Sequence, residues 1–235
     1  MKSNWIVITL LSLFLIATAQ VSHVHEAPAA DGGATAHTAI KLPPPKTDGG
    51  IPLNRALSAR RSIRELSPDP IPLDYAGELL WAAQGVTDDN GHRTAPSAMG
   101  LYLLDTYLIA ANVTGLASGL YKYSPAGHEI TLVSAGDKRA EILKKAVKQY
   151  WISNAPVMVI LVGVPERITK RGGEKGVKWM YVEAGLAAEN FFLEAVSLGM
   201  ASTYVGSFDA DALRDFLGLP KSEEPVAVLP VGFKR

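Results

Sequence analysis

Apolar positions along the chain follow two kinds of spacing, and these divide it into helices and strands. Between Leu73 and Val86, the residues Leu73, Ala76, Leu79, Leu80 and Ala83 recur at helical intervals, which predicts one buried helical face. Lys178–Leu198 is apolar over most of its circumference and closes at Gly199, so it predicts the longest helix. Pro52–Ile63 carries Leu53 and Leu57 on one face and ends in arginines, and also reads as helix. Lys138–Trp151 and Ala210–Leu217 complete the helical set. Val157–Val164, by contrast, is an unbroken run rich in β-branched residues, as expected of a buried strand. Tyr102–Ala111, Ala201–Val205 and Val226–Val231 predict further strands. Gly119–Tyr123 and Glu129–Val133 predict a hairpin around Pro125-Ala126-Gly127. Asp88-Asp89-Asn90-Gly91 and Pro96-Ser97-Ala98-Met99-Gly100 read as turn and loop. Helices and strands intermix without a regular repeat, which argues for an α+β fold with a central mixed β-sheet flanked by helices.

The first 50 residues have a different character. Lys2 precedes an apolar run from Trp5 to Ile16, followed by Ala17-Thr18-Ala19, the three parts of a cleavable export signal over residues 1–19. The run is shorter than the roughly 20 apolar residues a spanning helix needs, so no stable membrane insertion is expected after cleavage. Residues 20–50 are dominated by Ala, Gly, Pro, Thr and His and predict a flexible tether, with His23 and His25 solvated. The folded domain is therefore expected over residues 51–235, in an exported, periplasmic or secreted protein.

Composition narrows the chemistry by exclusion. Twenty-three basic and 23 acidic side chains cancel, leaving no electrostatic footprint for nucleic acid or an anionic membrane. No cysteine is present, which removes disulfides, thiolate metal sites and cysteine nucleophiles. No G-x-G-x-x-G follows a strand and no Walker-type loop occurs. The densest polar feature is Arg60-Arg61-Ser62-Ile63-Arg64. Two adjacent guanidinium groups and a hydroxyl suit a phosphate monoester, which needs charge and several directed donors together. A solvated basic helix end would look the same locally. His92 and His128 are loop residues able to move protons near neutral pH. Trp81, Trp151 and Trp179 read as core or interface residues.

The arginine segment is followed by an ordered series of further motifs. These are Leu80-Trp81-Ala82-Ala83-Gln84-Gly85-Val86, Arg93-Thr94-Ala95-Pro96-Ser97-Ala98 with Leu101-Tyr102, and Gly119-Leu120-Tyr121-Lys122-Tyr123 with His128. Glu183-Ala184-Gly185 with Asn190, and Gly206-Ser207-Phe208-Asp209, complete it. Together they resemble the nitroreductase family of flavoproteins, and match most closely its SagB-type azoline dehydrogenase branch. The resemblance implies an intertwined homodimer with FMN at the subunit interface. It implies that Arg60, Arg61 and Ser62 hold the phosphate and ribityl chain and that Arg64 sits near the pyrimidine edge of the flavin. Pro96, Ser97 and Ala98 would cover the flavin of the other subunit. The Gly206-Ser207 backbone would approach the flavin N5 edge, and Lys234 and Arg235 would add charge at the phosphate. No metal is implied.

The activity implied is two-electron transfer by ping-pong exchange between small molecules, from a donor such as NAD(P)H to nitro or quinone acceptors. Flavin, not a side chain, would be the reactive centre. Three positions depart from the family pattern: Met99 stands for the usual glycine, Leu103 for the usual proline, and Lys170-Arg171 for the catalytic Lys-Tyr pair of the azoline-oxidising branch. Lys170 is thus the position that matches a catalytic side chain of that branch, while the tyrosine is lost, which speaks against azole formation. The alternatives are a dehydrogenase acting on a modified peptide, and a flavin-binding protein without turnover in which Met99 blocks the flavin face.

Overall fold

A computed structural model of the chain describes residues 38–235. The predicted export signal and the first part of the predicted tether lie outside the described residues. Strands β1 (Ile40–Lys41), β3 (Leu104–Ala110), β5 (Gly119–Ser124), β6 (Glu129–Ala135), β7 (Val157–Gly163), β8 (Met200–Ser202) and β9 (Glu224–Phe233) form one sheet in the order β1-β6-β5-β3-β7-β9-β8. Two short strands, β2 (Ile71–Pro72) and β4 (Val113–Thr114), pair separately. The helices are α1 (Leu53–Ala59), α2 (Leu73–Gln84), α3 (Arg139–Lys145), α4 (Glu166–Gly172), α5 (Val177–Ser197) and α6 (Ala210–Leu217).

The apolar run of β7 explains the layering. All seven of its residues are buried, and they alternate between two cores. Val157, Val159 and Leu161 pack into a core with Leu79, Leu80 and Ala83 of α2 and Ala184, Ala187 and Phe191 of α5. Met158, Ile160 and Val162 point the other way, into a core with Ile142 of α3 and Leu213 and Leu217 of α6. Burying one such side chain contributes about 1.5–3 kcal/mol, so a strand covered on both faces needs an apolar residue at every position. The fold is α+β with helices on both faces of the sheet. Every strand pairing within the sheet is antiparallel, where a mixed sheet was expected. Parallel pairing is confined to β2–β4 and to an isolated bridge between Ser62 and Ser202.

Three expectations from local spacing are corrected. First, α1 stops at Ala59, because the following residues extend: Arg60 has φ −58° and ψ 124°. The backbone N–H of Ile63 donates to the Ser202 carbonyl at 3.1 Å, so sheet-edge pairing replaces the predicted last helical turn. Second, the Lys138–Trp151 helix breaks after Lys145, where the Ala146 carbonyl accepts from Asp209 N–H at 3.1 Å. A separate 3-10 turn over Tyr150–Asn154 follows. Third, the end of the predicted tether is folded. Ile40–Lys41 pairs with β6, Leu42 is buried, and the Lys46 N–H donates to Glu78 Oε1 at 2.8 Å.

His128 fastens that leading segment to the hairpin. Its Nε2–H donates to the Pro43 carbonyl at 2.8 Å, and its Nδ1 lies 3.0 Å from the Tyr123 hydroxyl, from which the neutral ring accepts. Burial pushes the imidazole below its ordinary value of 6.5, against the bond to Pro43 and the charge of Glu78, with Lys41 adding to the lowering. The folded state then binds fewer protons than the unfolded state, so this stabilisation is complete above the unfolded value and is lost as pH falls from there through the lowered folded value. Residues 40–46 are expected to lose amide-exchange protection between pH 7.5 and pH 5. His128→Ala should weaken their protection by about 1–2 kcal/mol, at roughly 1 kcal/mol per hydrogen bond, and flatten the pH dependence.

Candidate functional site

The early end of α1 decides where the arginines go. Arg60, as its C-cap, is half-buried and pairs with Glu189 of α5 at 3.5 Å. The Arg61 guanidinium turns back on the helix end, donating to the carbonyls of Ser58 at 3.1 Å and Arg60 at 2.7 Å. Ser62 then bridges to Ser202 of β8, while Leu66 bridges to Lys234 just past β9. Flanking bonds from Ser67 N–H to the Phe233 carbonyl (2.8 Å) and from Arg235 N–H to the Glu65 carbonyl (3.0 Å) hold the C-terminus alongside. These pairings bring Arg60, Arg61 and Lys234 to one cleft of about 120 Å³, walled by Phe192 and Val196 of α5 and by Met200–Ser202. Its wall holds three basic side chains and no carboxylate. Ser62 and the Arg235 side chain lie outside that wall and are exposed.

A second pair of predicted residues meets further along. The Arg64 guanidinium lies 5.9 Å from the centroid of the Trp151 ring, within cation–π range. Two residues before Trp151, Gln149 Nε2 donates to the Ser207 carbonyl at 3.4 Å. Arg64 and Gly206-Ser207 therefore converge on the same short segment. Both Gly206 and Ser207 are exposed, and a Cβ at Gly206 would come within 3.2 Å of the Tyr204 ring.

Pro96, Ser97 and Ala98 do not line the arginine cleft. The Ser97 hydroxyl is engaged within its own chain. It accepts from Tyr102 N–H at 2.8 Å and donates to Glu183 Oε2 at 2.5 Å, while Glu183 Oε1 accepts from Leu103 N–H at 3.0 Å. Glu183 on α5 is buried. Burial pushes its carboxyl above the ordinary range, opposed by the Ser97 and Leu103 bonds and by the charges of Arg93 and Arg167. With the loop tied inward, Met99 projects at 63% exposure with φ 56°. Lys170 and Arg171 are exposed in the last turn of α4 and line none of the clefts described.

In the sequence Glu183 belongs to the Glu183-Ala184-Gly185 motif, which by itself indicates no role for the carboxylate. A single acid within an otherwise apolar helix face was the available signal, since a buried carboxylate must find donors. The sequence did not single out Arg167, whose α4 helix was not predicted. Arg167 donates to the carbonyls of Tyr102 (2.8 Å) and Leu104 (3.2 Å) and to Asp105 (2.5 Å), bracing the other side of the loop.

An antiparallel α+β sandwich with a basic cleft at one sheet edge defines a protein suited to hold an anionic group. The sequence profile of the nitroreductase family matches residues 57–233. A candidate nitroreductase of Methanocaldococcus jannaschii is 36% identical over 184 residues, covering 78% of this chain and 92% of that protein. An iodotyrosine deiodinase of Daphnia pulex is 24% identical over 188 residues, covering 77% of this chain and 58% of that protein. The crystal structure of a candidate nitroreductase from Ralstonia eutropha superposes with a TM-score of 0.72 at 30% identity, covering 86% of this chain and 91% of the other. The microcin synthetase complex McbBCD of E. coli shares the fold alone, with a TM-score of 0.67 at 14% identity over 94% of this chain and 85% of the other. This chain belongs to the nitroreductase family, and its class is that of an oxidoreductase.

The Glu183 anchor yields a direct expectation. Glu183→Ala should destabilise the protein by roughly 2–3 kcal/mol, the scale of hydrogen bonds to a charged group, and expose the Pro96–Leu103 loop to proteolysis. Urea titration and limited digestion of both proteins measure this. Glu183→Gln, which keeps the acceptor for Leu103, should lose less.

Proposed function

We propose that this protein is an FMN-dependent oxidoreductase that works as a homodimer. The observation that carries the reading is the meeting of Arg60, Arg61 and Lys234 in one cleft without a carboxylate in its wall. A phosphate monoester carries close to two negative charges near neutral pH and offers several acceptor oxygens. Guanidinium and ammonium donors from two separate chain segments match that demand in charge and direction. Family membership supports a flavin rather than another phosphate ester.

Bound flavin supplies two-electron exchange, from a reduced donor such as NAD(P)H to nitro, quinone or similar acceptors. The chain's own residues bind and orient. Arg60, Arg61 and Lys234 hold the phosphate end, with Arg235 adding charge nearby and Ser62 serving the ribityl side. Arg64, stacked against Trp151, carries a fixed positive charge toward the pyrimidine edge, which favours the reduced cofactor. Gly206 and Ser207 offer main-chain groups beside that same segment. Pro96, Ser97 and Ala98 would serve the partner's flavin, with the Ser97 side chain holding the loop and the backbone meeting the cofactor. An exported location, proposed from residues 1–19, would call for a donor other than cytoplasmic NAD(P)H. A SagB-type reaction is less well supported, since Lys170 stands apart from the clefts.

The dimer is supported by the face of α5 that the other described residues leave uncovered. Trp179, Val182 and Leu186 form one stripe, each more than 40% exposed, and Leu53 and Leu57 of α1 are exposed at 62% and 50%. Apolar side chains in a continuous stripe are what a second copy would cover.

The first test is colour. Purified protein should be yellow, with flavin absorbance that bleaches on adding a donor and returns with an acceptor. Colour that no reductant bleaches would support the binder without turnover, and a colourless protein that takes up no added flavin would sink the proposal. The double variant Arg60→Ala/Arg61→Ala should bind FMN at least roughly 10- to 150-fold more weakly, equivalent to the loss of about 1.5–3 kcal/mol for one charge-assisted contact. Leu186→Glu should shift the protein from dimer to monomer in sedimentation. A monomeric wild type that binds FMN stoichiometrically would overturn the dimer geometry.

A further inference from the structure

A cavity of about 210 Å³ lies on the far side of the Pro96–Tyr102 loop, outside the arginine cleft. Its wall is built by Arg93 and Tyr102 from that loop region, Asp105 and Thr106 from β3, Tyr123 from β5 and Arg167 from α4. Thr106 and Tyr123 are cross-strand partners, so the cavity sits on the sheet itself.

The charges in this wall do not balance. Asp105 is matched twice, by Arg167 at 2.5 Å and by Lys122 at 2.7 Å. Arg93 has no carboxylate within ion-pair distance among the described residues. Its Nη1 donates to Gln84 Oε1 at 2.8 Å, and its guanidinium lies over the Tyr102 ring at 4.2 Å from the centroid. Burial disfavours the charged form of Arg93; the charge of Glu183 and, more weakly, Tyr102 and Asp105 oppose this, while the nearby Arg167 adds to it. A partly buried cation in that position is stabilised by an anion brought to it.

A second, independent observation is Thr106. It is 2% exposed and its Oγ1 has no hydrogen-bond partner. A buried hydroxyl without an acceptor costs free energy that a ligand oxygen would recover. The rest of the wall is apolar, with Leu101, Leu104 and the Tyr102 ring. The volume suits one small molecule, below the roughly 300–1,000 Å³ of sites for drug-sized ligands.

We propose that this cavity binds a small carboxylate with an apolar body, its carboxylate held between the Arg93 guanidinium and the Thr106 hydroxyl. Planar carboxylate oxygens suit the guanidinium fork, and the apolar body lies against Tyr102 and the two leucines. This site does not depend on the flavin reading.

Benzoate is the probe, titrated calorimetrically into the full-length wild-type protein and three variants. Wild type should bind it saturably. Thr106→Val keeps the side-chain shape and removes a hydroxyl without a partner, so it should unfold at the same temperature or higher while binding benzoate about 10-fold more weakly. Arg93→Gln should weaken binding by about 10- to 100-fold. Arg60→Ala/Arg61→Ala, impaired in flavin binding, should bind benzoate as the wild type does. No saturable binding, or a folded Thr106→Val protein with unchanged affinity, would overturn the proposal. So would loss of benzoate binding in the Arg60/Arg61 variant, because it would place benzoate on the flavin.

Discussion

The arrangement of this protein depends on the burial of β7 on both faces. Seven consecutive residues without a solvent-facing side chain can be stable only if a helical layer covers each side. Helices α2 and α5 supply one layer, and α3 with α6 supplies the other. The neighbours β3 and β9 pair along its length, from Ala110 opposite Val157 to Leu104 opposite Gly163 on one side and from Val231 to Glu224 on the other. Once this centre is set, the sheet has its two ends in different surroundings. One is closed by the short β1 strand, and the other ends at β8.

The β8 end is where the fold gathers its basic cleft. β8 pairs with β9 on one side, and its outer side is met by the Ser62–Ile63 backbone. That pairing goes with the early end of α1 and the turn of Arg60 toward α5, while the Leu66–Lys234 bridge and the flanking Ser67 and Arg235 bonds lay the segment next to the C-terminus. Basic residues separated by more than 170 positions in sequence thereby share one cleft. Positive charges gathered in one cleft repel one another unless an anion joins them, and among the described residues Glu189 pairs with Arg60 alone of the three.

The loop from Arg93 to Leu103 is governed by a different economy, that of buried polar groups. Glu183 and Arg167 supply acceptors and donors to its backbone, so an irregular segment with positive φ at Met99 and Tyr102 keeps a defined course with one short 3-10 turn over Ala98–Gly100. Most polar groups around it are satisfied. Gln84 Nε2 and Thr106 Oγ1 are not. Those two atoms mark the places where the loop's hydrogen bonding is incomplete within the chain itself.

Local spacing was enough for elements whose burial pattern is set along their own length. The hairpin strands, the α2 and α5 helices and the whole of α6 fall where periodicity puts them, because alternation and helical recurrence record which faces are covered. Arg60 and Arg61 stand out in the sequence as the densest basic feature, and Lys234 only through the family resemblance; the structure brings all three to one cleft. Periodicity could not show that α1 ends at Ala59, that the Ala146 carbonyl is taken by Asp209, or that Ile40–Leu42 folds onto the sheet instead of trailing as a tether. Each of these turns on a backbone group claimed by a distant segment, and such a claim leaves no periodic trace in the segment that yields. The same holds for Ser97, whose hydroxyl belongs to a glutamate 86 residues away. Sequence alone determined which residues could bury and which could carry charge. Tertiary structure decided which of them meet, because hydrogen bonds between remote backbones override local propensities that differ by less than about 1 kcal/mol per residue.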